Sequence, residues 1–256
     1  MSTLQPYTYN AFNNETDFRL LILEPGTEPS PLRCTLAQFA LADCPEYEAI
    51  SYVWGSEPGR EVFLCSEKRL EITQNLHSAF QQLQYPEKQR FLWADAICIN
   101  QDDLTERSQQ VMIVGDIYAT VCCTLVWLGP RGDDDCDAFE VVQWLITTME
   151  SFSEFGDVMD IDAFPWDLIP SRLAAVLPDV DQSKMKNLGH LLTRSWFHRV
   201  WIIQEVAKAR QVSIVYGHQV ISFEAVHIAC KAFGLGGYIW HIPSVQRTTV
   251  LATLSP

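Results

Sequence analysis

The sequence predicts an α/β domain, with a mostly parallel sheet flanked by helices and a helical insertion. Three observations carry that expectation. Between residues 47 and 129, runs of strand character alternate with helical spacing in the order strand, helix, strand, helix, strand. Right-handed crossovers turn that order into a parallel sheet. Two of the runs, FLWADAICI at 91–99 and VCCTLVWL at 121–128, are almost continuously apolar, as expected of strands covered on both faces. From 131 to 190 the character changes to amphipathic stretches, such as 138–149, with prolines at 165, 170 and 178 and an acidic cluster at Asp133, Asp134, Asp135 and Asp137.

In chain order, DFRLLIL at 17–23 reads as a strand, followed by a Pro/Gly-rich turn at 25–31. YEAISYVWG at 47–55 reads as the first strand of the parallel set, stopped by its glycine, and 61–65 as a short strand. Thr73 or Asn75 can cap the next helix, on which Leu76, Phe80 and Leu83 keep helical spacing. Asp103 and Glu106 stand in capping-box register and open a helix to about 119, with Leu104, Ser108, Val111, Gly115 and Tyr118 on one stripe. A helix over about 196–209 and a strand at 211–216 (QVSIVY) resume the sheet pattern. The domain organisation expected is an N-terminal extension with a strand (1–46), a main domain (47–218) including the insertion 131–190, and a C-terminal extension (219–256) cut from a longer protein.

The chain has 256 residues, 48% hydrophobic and 20% charged, so it can bury a substantial core and is not disordered as a whole. The net charge of −14 opposes nucleic-acid and anionic-membrane binding. No apolar run reaches the roughly 18 residues of a membrane span, and the start lacks a signal pattern; a cytoplasmic protein is expected. The eight cysteines form no CxxC pair and no finger-like spacing with histidine, so neither structural zinc nor a disulfide framework is expected. GxGxxG, Gly-Lys-Ser/Thr phosphate loops, HExxH and GxSxG are all absent.

Three constellations remain. On a helix at 195–210, Trp196, Val200, Ile203 and Ala207 form a core stripe, while His198, Trp201, Ile202 and Glu205 share a neighbouring face. Trp201 and Glu205 are four apart, setting a carboxylate one turn from an indole, where charge stabilisation is strong in a dry cleft. The alternative is that Glu205 pairs with Lys208 or Arg199 on a solvated face. The second constellation is DAICINQDD at 95–103, off the end of a strand, where open α/β sheets bind ligands. Asp95, Asn100, Gln101 and Asp102 are the candidates, although Asn100 and Asp102 are also ordinary turn formers. An acidic metal site of Asp95, Asp102 and Glu106 lacks any histidine, and no metal is expected. The third is SYVWG at 51–55, in which Tyr52 and Trp54 flank a strand end and Gly55 allows close backbone approach; two aromatics can sandwich a base or a nicotinamide ring, although such residues are more often simply core.

YEAISYVWG (47–55), LWADAICINQDDLTERSQQV (92–111) with GDIYATV after it, and SWFHRVWIIQEVA (195–207) together resemble the three signature blocks of the fungal heterokaryon-incompatibility domain, with Val114 and Val121 as mild departures. The resemblance implies non-self recognition, with programmed cell death as the outcome, and a recognition partner protein. That family in turn is similar to Toll/interleukin-1 receptor (TIR) domains, flavodoxin-like modules of which some cleave NAD. The pair Trp201 and Glu205 is similar to the tryptophan–glutamate pair of plant TIR domains, which implies that Glu205 is catalytic. The insertion 131–190 departs from the TIR pattern.

The expected function is therefore cleavage of the nicotinamide–ribose bond of NAD, with NAD as substrate and no further cofactor. Glu205 would be catalytic, Trp201 and Tyr52 or Trp54 would shape the nicotinamide end beside Gly55, and Asp95, Asn100 and Arg107 would contact the rest of the nucleotide. The competing expectation is a non-enzymatic module that acts by self-association.

Overall fold

Among the described residues, nine strands form one sheet in the spatial order β5-β4-β2-β1-β6-β3-β7-β8-β9. The strands are β1 (Asp17–Leu23), β2 (Arg33–Ala40), β3 (Glu48–Tyr52), β4 (Arg60–Cys65), β5 (Lys68–Thr73), β6 (Arg90–Trp93), β7 (Cys123–Trp127), β8 (Val212–Tyr216) and β9 (Gln219–Ser222). The computed structural model describes residues 4–27, 29–55, 59–131, 138–151 and 182–232, with side chains from 186 onward in the last stretch. The acidic cluster, the three prolines of the insertion and the C-terminal end lie outside these residues.

The predicted parallel set is the centre of this sheet. β6, β3, β7 and β8 are mutually parallel, pairing Ala49 with Trp93, Ser51 with Val126 and Val126 with Ile214. Counted along the chain, the spatial order of the four is second, first, third, fourth, the arrangement of doubly wound flavodoxin-like sheets. Antiparallel strands extend both sides: β1 joins β6 and β2, and β9 closes on β8. Strands from the segment before residue 47 thus share the sheet with the rest. The helices are α1 (Gln74–Leu83), the single turn α2 (Asp95–Cys98), α3 (Leu104–Thr120), α4 (Ala138–Glu150), α5 (Gln182–Leu192), α6 (Ile202–Ala207) and α7 (Phe223–Ala232). Within the insertion, the amphipathic stretch at 138–149 is α4, packed against α5 and α7.

α1 follows expectation. The Thr73 side chain accepts the Leu76 N–H at 3.3 Å, and Leu76, Phe80 and Leu83 are buried. Asn75 does not cap; it bridges the Val53 carbonyl (2.7 Å) and the Trp127 indole N–H (2.9 Å). The β4–β5 hairpin was invisible because its turn is Ser66-Glu67, both at positive φ (50° and 60°), where Asn-Gly is the usual signal. β2 fell in a stretch whose inward side alternates weakly.

Three sequence expectations are corrected. The run 91–99 is not one strand: β6 stops at Trp93 and Asp95–Cys98 form a helical turn. Continuous apolarity follows from burial, and a buried helical turn satisfies it as well as a strand. The α3 stripe is also different. Leu104 and Val111 are exposed, while Glu106, Gln110, Ile117 and Tyr118 are buried. The cause is polar anchoring: Glu106 receives both Arg19 guanidinium nitrogens (2.6 and 2.9 Å), and Gln110 donates to the Asp17 carbonyl (2.8 Å). Finally, the helix at 196–209 is broken into a 3-10 turn (Ser195–His198) and α6. Val200 and Ile203, read as core, are exposed, whereas Trp196 is buried.

The Arg19–Glu106 pair ties β1 to α3 and to the 95–103 loop, because Arg19 also donates to the Cys98 carbonyl (3.0 Å) and Glu106 accepts the Asn100 N–H (2.6 Å). Arg19 is further enclosed by the Tyr9 and Phe12 rings. Removing one partner of such a pair strands the other charge, at about 3–5 kcal/mol. Glu106→Ala is therefore expected to lower stability by about that amount in urea denaturation. A loss below about 1 kcal/mol would show that the pair is dispensable.

Candidate functional site

The carboxyl ends of β3 and β7 are where the strand order reverses, and doubly wound sheets bind ligands at that point. Side chains alternate along β3, so Ser51 and Tyr52 leave opposite faces of the sheet. Ser51 lies beneath α6, and its hydroxyl donates to Glu205 Oε2. The Trp196 indole N–H donates to the same Ser51 oxygen at 2.6 Å. Arg199 completes the group as a two-pronged donor, Nη1 to Oε2 at 3.1 Å and Nη2 to Oε1 at 3.0 Å. The Glu205 carbonyl accepts the Thr124 hydroxyl from β7 (3.2 Å). Ser51 and Arg199 thus meet the Glu205 carboxylate, Trp196 supports it through Ser51, and β7 holds the backbone of a residue that is 6% exposed.

The break in the 195–210 helix makes this possible. In a continuous helix, residues six apart stand about 240° around the axis and cannot meet. The irregular link at 199–201 turns Arg199 back onto Glu205. Burial raises the Glu205 carboxyl above the usual carboxylate value, against the opposing pull of Arg199 and Ser51, and the nearby Asp95 adds to the rise.

A second carboxyl stands beside the first. Asp95, half-buried at the start of α2, accepts the Trp54 indole N–H (2.9 Å) and the Ala96 N–H (2.8 Å). Burial raises its value too, with Trp54 and Ala96 opposing. The Tyr52 hydroxyl faces Asp95, whose charge and the burial of the ring push it up. That hydroxyl makes no well-formed hydrogen bond among the described residues.

Next to this cluster is a cleft of about 440 Å³, lined by Val53, Asn75, Trp127, His190, Arg194 and Trp196 among others. Trp196 is shared, with its ring on the cleft and its N–H on Ser51. Arg194 donates to the Leu128 carbonyl (2.9 Å) and the Tyr216 hydroxyl (2.5 Å) and lies over the Tyr216 ring.

A family model described as heterokaryon incompatibility protein (HET) matches residues 47–205, which include Ser51, Asp95, Trp196, Arg199 and Glu205. The chain belongs to that family. It is 31% identical over 235 residues to "Heterokaryon incompatibility protein 6, OR allele" of Neurospora crassa; the match covers 82% of this chain and 35% of that protein. The chain thus spans about a third of the length of the curated relative it matches. No solved structure matches the chain.

Within this HET domain the sequence candidates separate. Glu205, Tyr52, Trp54 and Asp95 come together around Arg199. Trp201 does not join them. It is 53% exposed at the start of α6, whereas Glu205 points at β3, so the expected indole beside the carboxylate is not formed. The tryptophan linked to Glu205 is Trp196, through Ser51. Glu205 does pair with Arg199, as the alternative had it, but in the interior rather than on a solvated face. Gly55 has φ 79°, a conformation residues with side chains rarely adopt, and no atom stands within 4 Å of where a Cβ would be. Asn100 accepts the Asp102 N–H at 3.3 Å within the turn, and Arg107 is exposed on α3. Glu106 is committed to Arg19, and no group of three or more metal-ligating side chains occurs among the described residues. Ser51 lies in the SYVWG run and Trp196 and Arg199 in the 195–207 block, but only their meeting with Glu205 gives them a place in the site.

Both raised carboxyls bind their protons more tightly folded than unfolded. Their contribution to stability is therefore greatest below the ordinary carboxylate value and is lost as pH rises through the raised values. Relative to Asp95→Asn, the unaltered protein is expected to lose urea resistance as pH rises above the ordinary carboxylate value. A difference that stays flat or grows with pH contradicts the direction. Ser51→Ala, which removes a donor to a charged acceptor, is expected to cost about 1.5–3 kcal/mol in the same assay.

Proposed function

We propose that this HET domain is an effector of fungal non-self recognition and cell death, and that it acts by cleaving the nicotinamide–ribose bond of NAD. The observation that carries this reading is a buried carboxylate, Glu205, set beside a cleft at the strand-order reversal and joined to that cleft through Trp196 and Ser51. Family membership supports the cell-death role. The name of the Neurospora relative supports the incompatibility role.

The chemistry suits a single carboxylate. Glycosidases protonate a leaving alcohol and so employ a second carboxyl as acid. In NAD the leaving group is a pyridinium. When its C–N bond breaks, the electron pair goes to nicotinamide, which departs neutral without a proton. A glutamate that accepts the ribose hydroxyls steadies the positive charge developing on the sugar, in a site where water is scarce. Water then adds to the ribose carbon and gives up a proton, or an adenine nitrogen of the same molecule closes a ring. Asp95, with Trp54 and Tyr52 around it, is the proposed contact to the rest of the nucleotide.

Chromatography of nicotinamide at high protein concentration tests this. The unaltered protein is expected to release nicotinamide, and Glu205→Ala to release at least about 100-fold less while still folded. Equal release from both removes Glu205 from the chemistry.

A second reading, action by self-association, is favoured by the exposed Val200 (81%), Trp201 and Ile203 next to the site. Large apolar side chains grouped at a surface mark interaction sites. Elution volume measured against concentration separates the readings: oligomers that form without NAD, never bind it and release no nicotinamide support the second.

A further inference from the structure

We infer that Arg199 is a substrate-engaging residue: an incoming diphosphate takes its guanidinium from Glu205, and this exchange frees the carboxylate for the ribose. The inference rests on the NAD reading for the identity of the substrate, and on geometry for the exchange.

A carboxylate offers about four acceptor positions. On Glu205 three are filled, by the two Arg199 nitrogens and by the Ser51 hydroxyl. A ribose diol brings two donors and needs two acceptors at once. With one position left and the residue almost wholly buried, Glu205 cannot receive it unless a present donor withdraws.

Ser51 is held in place. It sits in β3 at the middle of the sheet, and its oxygen is fixed by the Trp196 N–H. Arg199 reaches that oxygen too, but only at 3.4 Å. Its side chain is 22% exposed against 8% for Glu205, and it stands on the irregular link between the 3-10 turn and α6, beside exposed Val200 and Trp201. The pair can part at its solvent side.

An arginine leaves a buried carboxylate readily only when another anion replaces it. The planar guanidinium fork matches phosphate oxygens two at a time as well as it matches a carboxylate. Arg194, five residues earlier on the same segment, lines the neighbouring cleft and adds positive field there. In a chain of net charge −14, Arg194 on the cleft and Arg199 beside it, next to Ser51, place two positive charges where an anion can settle. The substrate class that follows is a dinucleotide, whose diphosphate and ribose diol together replace the Arg199–Glu205 pair. A nucleoside with the same glycosidic bond and no phosphate lacks the group that draws Arg199 away.

Competition for Arg199 leaves a thermodynamic signature that does not depend on turnover. Inorganic diphosphate is titrated calorimetrically into the full chain at constant ionic strength. Glu205→Gln, which removes the competing charge, is expected to bind diphosphate at least about fivefold tighter than the unaltered protein. Arg199→Met is expected to lose this binding, and Arg199→Lys to weaken it if the methionine variant does not fold. Equal diphosphate affinity in the unaltered protein, Glu205→Gln and Arg199→Lys overturns the exchange. The predicted order of affinities without nicotinamide release from NAD upholds the exchange and sinks the NAD reading. Where NAD is cleaved, nicotinamide riboside is expected to be cleaved far more slowly, and comparable rates for the two overturn the role of the diphosphate.

Discussion

An ionised carboxylate inside a protein has to be met by donors, and Glu205 is met from two separate parts of the chain. Ser51 comes from the first parallel strand, Arg199 from the irregular link before α6, and Trp196 reaches it through Ser51. The demand of this one group accounts for the broken helix, because only a break lets Arg199 fold back. It accounts for a polar serine in the middle of a buried strand. It also anchors α6 to the sheet, since the Thr124 hydroxyl of β7 holds the Glu205 carbonyl. Burial raises the proton affinity of Glu205 against the opposing pull of Arg199 and Ser51.

A second buried pair performs a parallel task on the other side of the parallel set. Arg19 and Glu106 join β1 to α3, and their remaining hydrogen bonds reach the Cys98 carbonyl and the Asn100 N–H. The middle of the 95–103 segment is thereby held, and Gln101 closes its start by donating to the Asp95 carbonyl (2.7 Å). Asp95 thus stands on a backbone secured from within, although the residue itself is half-buried. Such fixing is what a binding group requires if its geometry is to survive contact with a ligand.

Legibility in the sequence followed the kind of force involved. α1, β3, β7 and β8 were readable because apolar period and cap chemistry decide them locally; Thr73 with Leu76, Phe80 and Leu83 is the clearest instance. The strand at 91–99 and the α3 stripe were misread for one reason. Apolar pattern reports burial, and it identifies neither the backbone geometry of a short buried run nor a helix face docked through Glu106 and Gln110. In the candidate site, Glu205 and Asp95 could be named, because acidic residues in apolar surroundings stand out. Arg199 could be named as an alternative partner of Glu205, but Ser51 could not, because it is about 150 residues from Glu205 along the chain and a single serine in a strand has no signature.

By itself, then, the sequence determined the α/β class, the parallel centre of the sheet and the family blocks, since each rests on periodicity and order along the chain. Only the tertiary structure decided which tryptophan meets Glu205, that Arg199 occupies its carboxylate, and that Trp201 stays at the surface. Those choices arise from the cost of leaving a buried charge unmatched, which is settled in three dimensions among residues that sequence spacing does not connect.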